Sequence, residues 1–282
     1  MNTKAEAGIV VSGRQRSKAF LWTLAVVASA SVLLTALPVP SVGADTAPVK
    51  DLSALLNDLN SSNPSVATQA ATEIKNQYAK QAIPALAQAI QHPNEIVRLT
   101  VIEALSEIGP DAAPAIPALA AALKDKDPMI REAAALALLS VGRQSAGAVP
   151  ALVSALGDAN KKVRDSVVLA LVNIGEAAVP DLIKALESKE QAVSSAAATA
   201  LGRIGAPAVP ALVAVLKKGD PHSAKAASKA LSEVGAPAVA PLIEMLTTAK
   251  AEASKLAGES LAAIGAPAVP PLVDELLKKK RP

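Results

Sequence analysis

Six Ile-Gly or Val-Gly pairs recur along the chain at nearly constant intervals. Their glycines are 33, 33, 30, 30 and 30 residues apart in the 282-residue sequence, and a Leu stands four residues before each one. An Ala- and Pro-rich turn follows each glycine, and then a second apolar block such as VPDLIKAL at 179–186. A period of this length is typical of chains built from one repeated helical unit. The glycines are Gly109, Gly142, Gly175, Gly205, Gly235 and Gly265.

Each repeat is predicted to be a hairpin of two short helices, A and B. Helix A opens with a capping residue and a proline, as in Asp127-Pro128, because the missing proline N–H is not needed in the first turn. The glycine is expected to end helix A in the left-handed conformation, which other residues avoid. The second block has apolar residues at i, i+3, i+4 and i+7, which predicts one buried stripe on helix B.

Hairpins this small cannot bury their own apolar stripes, so they are expected to stack on one another. Apolar residues make up 51% of the chain and aromatics only 1%, a composition dominated by strong helix formers. The sequence therefore predicts an all-α solenoid of stacked two-helix repeats over residues 63–282. Residues 45–62 are predicted to form a linker and an N-terminal capping helix, and Tyr78 takes the glycine position in a degenerate first repeat. The predicted repeats cover about 63–93, 94–126, 127–159, 160–189, 190–219, 220–248 and 249–282.

The first 44 residues have the pattern of an export signal. Arg14, Arg16 and Lys18 precede an uncharged stretch at 19–37, and Val42-Gly43-Ala44 offers small residues for a signal peptidase, so we expect cleavage after Ala44. The alternative is an uncleaved membrane anchor, since 19 apolar residues can just span a bilayer. The predicted location is periplasmic or secreted, or anchored in the membrane by this segment.

Charge argues against a nucleic-acid partner. Four of the 28 basic residues and one of the 25 acidic residues lie in residues 1–44, which leaves 24 of each in the remainder. A balanced chain lacks the basic surface on which nucleic-acid binding depends. The basic run at 278–281 is interpreted as a solvated tail.

The repeats resemble the HEAT-repeat superfamily, and most closely its short HEAT-like members of the phycobilisome-lyase type. The shared pattern is D/N-x-x-V/I-R, then AL-x-x-I/V-G, then V/I-P-x-L, over about residues 63–277. Its arginine is present as Arg98, Arg131 and Arg164, whereas the last three repeats have Ser194, Ala224 and Ser254. The resemblance implies that these arginines form a structural ladder to acidic or carbonyl partners. We expect the C-terminal repeats, which lack it, to be held by packing alone.

No catalytic, metal-binding or cofactor-binding residue is predicted. Cysteine is absent, and the two histidines, His92 and His222, are interpreted as exposed residues at helix starts about four repeats apart. The resemblance raises an alternative, an enzyme or enzyme subunit of the bilin-lyase type or an oxidoreductase by family association. Tyr78 is the only aromatic residue after Ala44, which leaves little to stack on a bilin.

The favoured hypothesis is an exported, non-catalytic scaffold that binds a protein partner on a concave surface formed by the B helices. Solenoids present such surfaces to their partners. Candidate contact residues lie off the buried stripe of the B helices, and Met245 is also a candidate for filling the core. These residues are Asp181, Lys184, Glu244, Met245, Asp274 and Glu275.

Overall fold

The computed structural model describes residues 50–218 and 220–279, and every regular element within these ranges is a helix. Helices of 14 residues alternate with shorter ones, and each pair forms a hairpin stacked on the next. The chain is therefore an all-α solenoid, which is the predicted fold class. The predicted signal segment at 1–44, its cleavage after Ala44 and the alternative anchor at 19–37 lie outside the described residues.

Two helices precede the regular hairpins, α1 (Leu52–Leu59) and α2 (Pro64–Ala89). The A helices are α3 (Glu95–Ile108), α5 (Pro128–Val141), α7 (Lys161–Ile174), α9 (Gln191–Ile204), α11 (Pro221–Val234) and α13 (Ala251–Ile264). The B helices are α4 (Ile116–Ala122), α6 (Val149–Ser154), α8 (Val179–Ala185), α10 (Val209–Lys218), α12 (Val239–Thr248) and α14 (Val269–Lys279). Short 3-10 turns connect each A helix to its B helix.

Side-chain caps fix the start of several A helices. The Asp127 carboxylate accepts a hydrogen bond from the Met129 amide at 2.8 Å, and Asp220 accepts one from the Ser223 amide at 2.9 Å. Each cap satisfies an amide that has no partner inside the helix. Pro128 follows Asp127 as the first residue of α5, where its missing N–H leaves no helical bond unmade.

The six repeat glycines share one backbone conformation. Their φ angles lie between 68° and 81° and their ψ angles between −132° and −145°. The left-handed helical conformation expected from the sequence has ψ near +47°, so the sign of φ agrees with that expectation and ψ does not. This combination lies close to a region that is essentially restricted to glycine. The amide of Gly175 still donates to the Leu171 carbonyl, so the turn closes helix α7 before reversing the chain.

Replacing Gly175 by Val should lower the free energy of unfolding by about 1–3 kcal/mol, because a side chain strains the backbone at this φ. A Cβ atom at Gly175 would meet nothing within 4 Å, so the penalty comes from the backbone and not from a collision. Gly147 has equally open surroundings without a positive φ and is the matched control. Gly147→Val should change stability by less than about 0.5 kcal/mol. Urea unfolding of both variants checks this, and an unchanged midpoint for Gly175→Val would contradict it.

The first hairpin is a kinked helix instead of two separate ones. Within α2, Tyr78 departs from helical geometry with φ −133° and ψ 21°, at the position where the later repeats have glycine. Because a tyrosine does not readily adopt positive φ, the chain bends here without the full glycine turn. The second half of α2 buries Ile83 and Leu86 as a B helix does.

Neighbouring hairpins bury each other's apolar stripes. Leu212 and Leu216 of α10 are fully buried, and α10 packs against α11 of the next hairpin. The A helices also pack on one another and bury residues such as Leu171 and Leu201. At the N-terminal end, α1 packs on α2 and buries Leu55. The core is therefore continuous along the stack.

The last B helix differs from the others, and the predicted buried stripe is wrong there. In α14 the exposed fractions of Val269, Val273, Leu276 and Leu277 are 56%, 47%, 62% and 55%. No hairpin follows α14 within the described residues, so most of its apolar stripe is uncovered there and only Leu272 is half-buried against the core, although the residue pattern matches that of the inner repeats. The stripe pattern predicts burial only where another hairpin covers it.

Two stretches, Pro128–Gly157 and Lys161–Ala185, are long and apolar enough to cross a membrane by length and composition. Each contains a repeat glycine with positive φ, at Gly142 and Gly175, and each consists of an A helix of 14 residues followed by a shorter B helix. A 14-residue helix is about 21 Å long, which is shorter than a bilayer core. Their hydrophobicity is explained by the stripes that they bury in the stack.

Candidate protein-interaction surface

Two arginines of the A helices form rungs between successive repeats. Arg98 donates to both carboxylate oxygens of Asp125, with Nε–Oδ2 at 2.9 Å and Nη2–Oδ1 at 3.2 Å. Arg131 binds Asp158 in the same way, at 2.6 and 2.9 Å. Such two-point contacts between a guanidinium and a carboxylate are among the stronger hydrogen-bonded pairs in proteins. The ladder implied by the family resemblance is present at these two positions.

Each rung ties three pieces of chain together. The Nη1 atom of Arg98 donates to the carbonyls of His92 and Pro93 in the preceding loop, at 2.9 and 3.0 Å. On the other side, Oδ1 of Asp125 also accepts the Asp127 amide at 2.9 Å, which fixes the turn before α5. A single aspartate therefore positions both the arginine and the next helix start.

The aspartates of the rungs are held ionised. Hydrogen bonds from Arg131 lower the pKa of Asp158 below its ordinary value, and the Asn160 amide acts in the same direction against the opposing effect of burial. Burial alone would raise the pKa of Asp125, but the hydrogen bonds from the Asp127 amide and Arg98 outweigh it and lower the pKa. Both rungs therefore stabilise the charged form of the aspartate.

Among the described residues, the third arginine of the ladder forms no ion pair with a carboxylate. Arg164 anchors its Nη1 atom on the Asp158 and Ala159 carbonyls at 2.6 and 3.1 Å. The position that Asp125 and Asp158 occupy in the earlier repeats is Ser188 in the next one. The Ser188 hydroxyl accepts a hydrogen bond from the Glu190 amide at 3.2 Å, so it fixes the turn before α9 but does not bind the arginine.

The expectation that packing alone holds the C-terminal repeats is wrong. Ser228 of α11 and Ser260 of α13 are buried and hydrogen-bonded through their Oγ atoms at 2.7 Å. The Ser260 hydroxyl also lies 2.8 Å from the Leu256 carbonyl. Serine is small enough for two A helices to approach closely, and the hydrogen bonds between the hydroxyls and to nearby carbonyls satisfy these buried polar groups.

The predicted contact residues divide into exposed and buried ones. Lys184 and Glu244 are exposed on their B helices, and Lys184 pairs with the half-buried Asp181 at 2.9 Å. Asp274 is exposed too, and half-buried Glu275 lies 3.7 Å from Lys278. Whether these residues contact a partner stays a prediction.

Met245 does not belong to the candidate surface. Its side chain is fully buried, so it fills the core, and the interpretation as a contact residue is wrong. Leu246, which the stripe pattern places in the core, is instead 37% exposed. Adjacent positions on a helix are about 100° apart, so the sequence does not decide which of the two turns inward when both are apolar.

Both histidines bind main-chain carbonyls. His92 is half-buried, not exposed as expected: its Nε2 lies 3.2 Å from the Ser61 carbonyl and its Nδ1 accepts the Asn94 amide. Since Nδ1 accepts, Nε2 carries the proton. His222 is exposed, with Nε2 2.8 Å from the Ser188 carbonyl. Among residues 50–218 and 220–279, no group of three or more His, Asp or Glu side chains is placed to hold a metal ion.

The second and the sixth residue are exposed on all six B helices, and the sixth is the one whose side chain varies most in charge. We call the six sixth positions the B-helix row. The first members of the row are small and uncharged, and the last two are acidic. Three members of the row, Lys184, Glu244 and Asp274, are among the predicted contact residues, and the spacing of the B blocks in the sequence gives their common register. The row comprises Ala121, Ser154, Lys184, Ala214, Glu244 and Asp274.

Comparisons with known proteins agree with this architecture. Residues 52–138, 149–232 and 179–262 match the family model described as HEAT repeats. No curated protein matches the chain.

Several solved structures are similar to the chain at low identity. An engineered protein is 22% identical, with 77% of this chain and 98% of that one covered and a TM-score of 0.43. The complex of CpcE and CpcF of phycocyanin lyase from Nostoc sp. is 24% identical, with 84% and 99% covered and a TM-score of 0.42. A Kap121p mutant is 17% identical, with 81% and 31% covered and a TM-score of 0.55. At these identities the likeness concerns the fold alone, whereas the family model matches more than half of the sequence, and the chain belongs to the HEAT repeat family.

Proposed function

We propose that this chain is an exported, non-catalytic scaffold that binds a protein partner along its B-helix row. The observation that carries the proposal is the constant register of the row: the sixth residue of every B helix is exposed, so each hairpin offers the same position to a partner. Stacked repeats turn such positions into an extended surface, which suits a partner that lies across several repeats.

The chemistry of the row favours an elongated partner segment with two different ends. Ala121 and Ser154 are small and uncharged, so a partner can approach the backbone closely there. Glu244 and Asp274 are exposed acidic residues, which favour basic groups on the partner. Lys184 lies between the two regions and is already paired with Asp181.

Photo-crosslinking in the native host tests the proposed surface. A photoreactive amino acid placed at Ser154, Ala214 or Glu244 should give the same discrete partner adduct from each position. The matched controls are Lys229 and Glu259, which are equally exposed on A helices. Adducts from both sets alike, or from neither, would contradict the proposal.

Export and the absence of catalysis have separate tests. Fractionation of the host should place the chain in the envelope or outside the cell, with residues 1–44 removed if the signal is cleaved. Metal analysis and an absorption spectrum of the purified protein distinguish the scaffold from the alternative. Bound iron or a bilin would favour an enzyme of the lyase or oxidoreductase kind.

A further inference from the structure

Arg164 keeps the anchoring of a ladder arginine. Its Nη1 atom donates to two carbonyls of the preceding loop at 2.6 and 3.1 Å, and Arg131 makes the equivalent contacts at 2.8 and 3.3 Å. In Arg131 this anchoring leaves the Nε and Nη2 edge of the guanidinium for the Asp158 carboxylate. The anchoring of Arg164 therefore leaves its Nε and Nη2 atoms available to bind a carboxylate in the same way.

The loop of the next repeat does not supply one. Ser188 stands where the earlier repeats have Asp125 and Asp158, two residues after a buried Leu in each case. The Ser188 hydroxyl accepts a hydrogen bond from the Glu190 amide, and a serine carries no negative charge. Within the part of the chain that the structure describes, Nε and Nη2 of Arg164 donate to no acceptor, and no carboxylate oxygen forms an ion pair with them.

The unused edge is not fully buried. Arg164 is half-buried, and in the described residues every fully buried side-chain nitrogen or oxygen has a hydrogen-bond partner, so the unpartnered nitrogens of Arg164 keep some contact with solvent. Arg164 lines a cleft of about 330 Å³ between α7 and α9. The lining of the cleft is mixed: apolar side chains such as Val168, Leu169 and Ala196 alternate with Ser195, Thr199, Asp165 and Arg203.

We propose that Arg164 is a docking point for a carboxylate of the protein partner. Arg164 and its cleft lie on the A helices α7 and α9, so this contact would be additional to the B-helix row, and it rests on the proposed function for the identity of the ligand as a protein. The ligand class follows from the chain itself, because two guanidinium groups with the same anchoring each bind a carboxylate through two hydrogen bonds. A planar guanidinium fork recognises a carboxylate in a defined orientation, which a lysine does not.

The side-chain Nε–Hε signals of arginine in ¹⁵N NMR spectra of the full chain test this proposal. Two blocked probes supply the carboxylate from different sources, acetyl-Ala-Asp-Ala-amide from a side chain and acetyl-Ala-Ala-Ala from a chain end. The Arg164 signal, identified by its loss in Arg164→Gln, should shift and saturate in the millimolar range with at least one probe. The Arg131 signal should not respond, because Asp158 occupies its fork.

Variants at Ser188 give the sharper comparison. Ser188→Asp restores the carboxylate of the ladder, so it should raise the unfolding midpoint and abolish the response of Arg164 to both probes. Ser188→Asn is the uncharged control of similar size and should leave that response intact. A silent Arg164 signal, an equal response of Arg131, or an unchanged response in Ser188→Asp would overturn the proposal. Partner adducts from the B-helix row would remain in that case, so failure here is distinct from failure of the scaffold function.

Discussion

Replacing Leu216 by Ala should destabilise the chain by about 2–5 kcal/mol, the usual range for truncating a fully buried leucine. Leu216 is 0% exposed in α10, where α11 of the next hairpin covers it. Leu276 occupies the same position of α14 and is 62% exposed. Leu276→Ala should therefore change stability by less than about 0.5 kcal/mol.

The two leucines form a matched pair within one chain, because they stand at the same place in B helices that share one pattern. Urea unfolding followed by circular dichroism measures both variants. Equal losses at the two positions would show that α14 is covered by something, and equal small effects would show that stacking does not bury α10.

Replacing Asp158 by Asn should destabilise the chain by about 2–3 kcal/mol, the range for losing hydrogen bonds to a charged group in a largely buried site. The amide can still accept from the Asn160 backbone, but it leaves Arg131 without its charge partner. The side chains of Arg131 and Asp158 are only 16% and 9% exposed, so water replaces the lost contact poorly. Asp165→Asn is the control: Asp165 pairs with Lys161 on the exposed surface, and its loss should change stability by less than about 0.5 kcal/mol.

The destabilisation caused by Asp158→Asn should become smaller at low pH. Because the pKa of Asp158 is lowered in the folded state, its contribution is complete above the unfolded pKa of about 3.9 and is lost as the pH falls through the lower folded value. The stability difference between wild type and variant should therefore be constant from about pH 7 to 5 and shrink below about pH 4. If the stability difference between wild type and variant is unchanged at about pH 3, the ion pair with Arg131 is not the source of the stabilisation by Asp158.

Features set by a few neighbouring residues were predictable from the sequence. The caps at Asp127 and Asp220 and the positions and positive φ of the glycine turns depend on local backbone chemistry, so spacing and residue type were enough for these, although not for the ψ angles of the glycines. The ladder required more: the partner of Arg98 lies 27 residues away at Asp125, and only the family resemblance implied it. The register of α11 against α13, which pairs Ser228 with Ser260, had no signal in either sequence segment.

Other features depend on what lies beside a helix and not on its own pattern. The apolar blocks of α10 and α14 are alike, and only the presence of a following hairpin decides that one is buried and the other exposed. The same reasoning applies to Arg164. It is the ladder arginine of its repeat and binds the preceding loop as the other two do, but a serine stands where they have an aspartate. The candidate contact at Arg164 follows from its spatial likeness to the two rungs at Arg98 and Arg131, and the sequence of α7 alone does not predict it.

Hydrogen exchange along the wild-type chain, measured by mass spectrometry, tests most directly whether each hairpin is stabilised by the one that covers it. The comparison is between two terminal helices. The eight-residue α1 is shorter than the 11-residue α14, but it buries Leu55 and Leu59, whereas the stripe of α14 is exposed. Covered α1, α10 and α12 should exchange slowly and α14 fast. An α14 as protected as α10, or an α1 as unprotected as α14, would contradict the account.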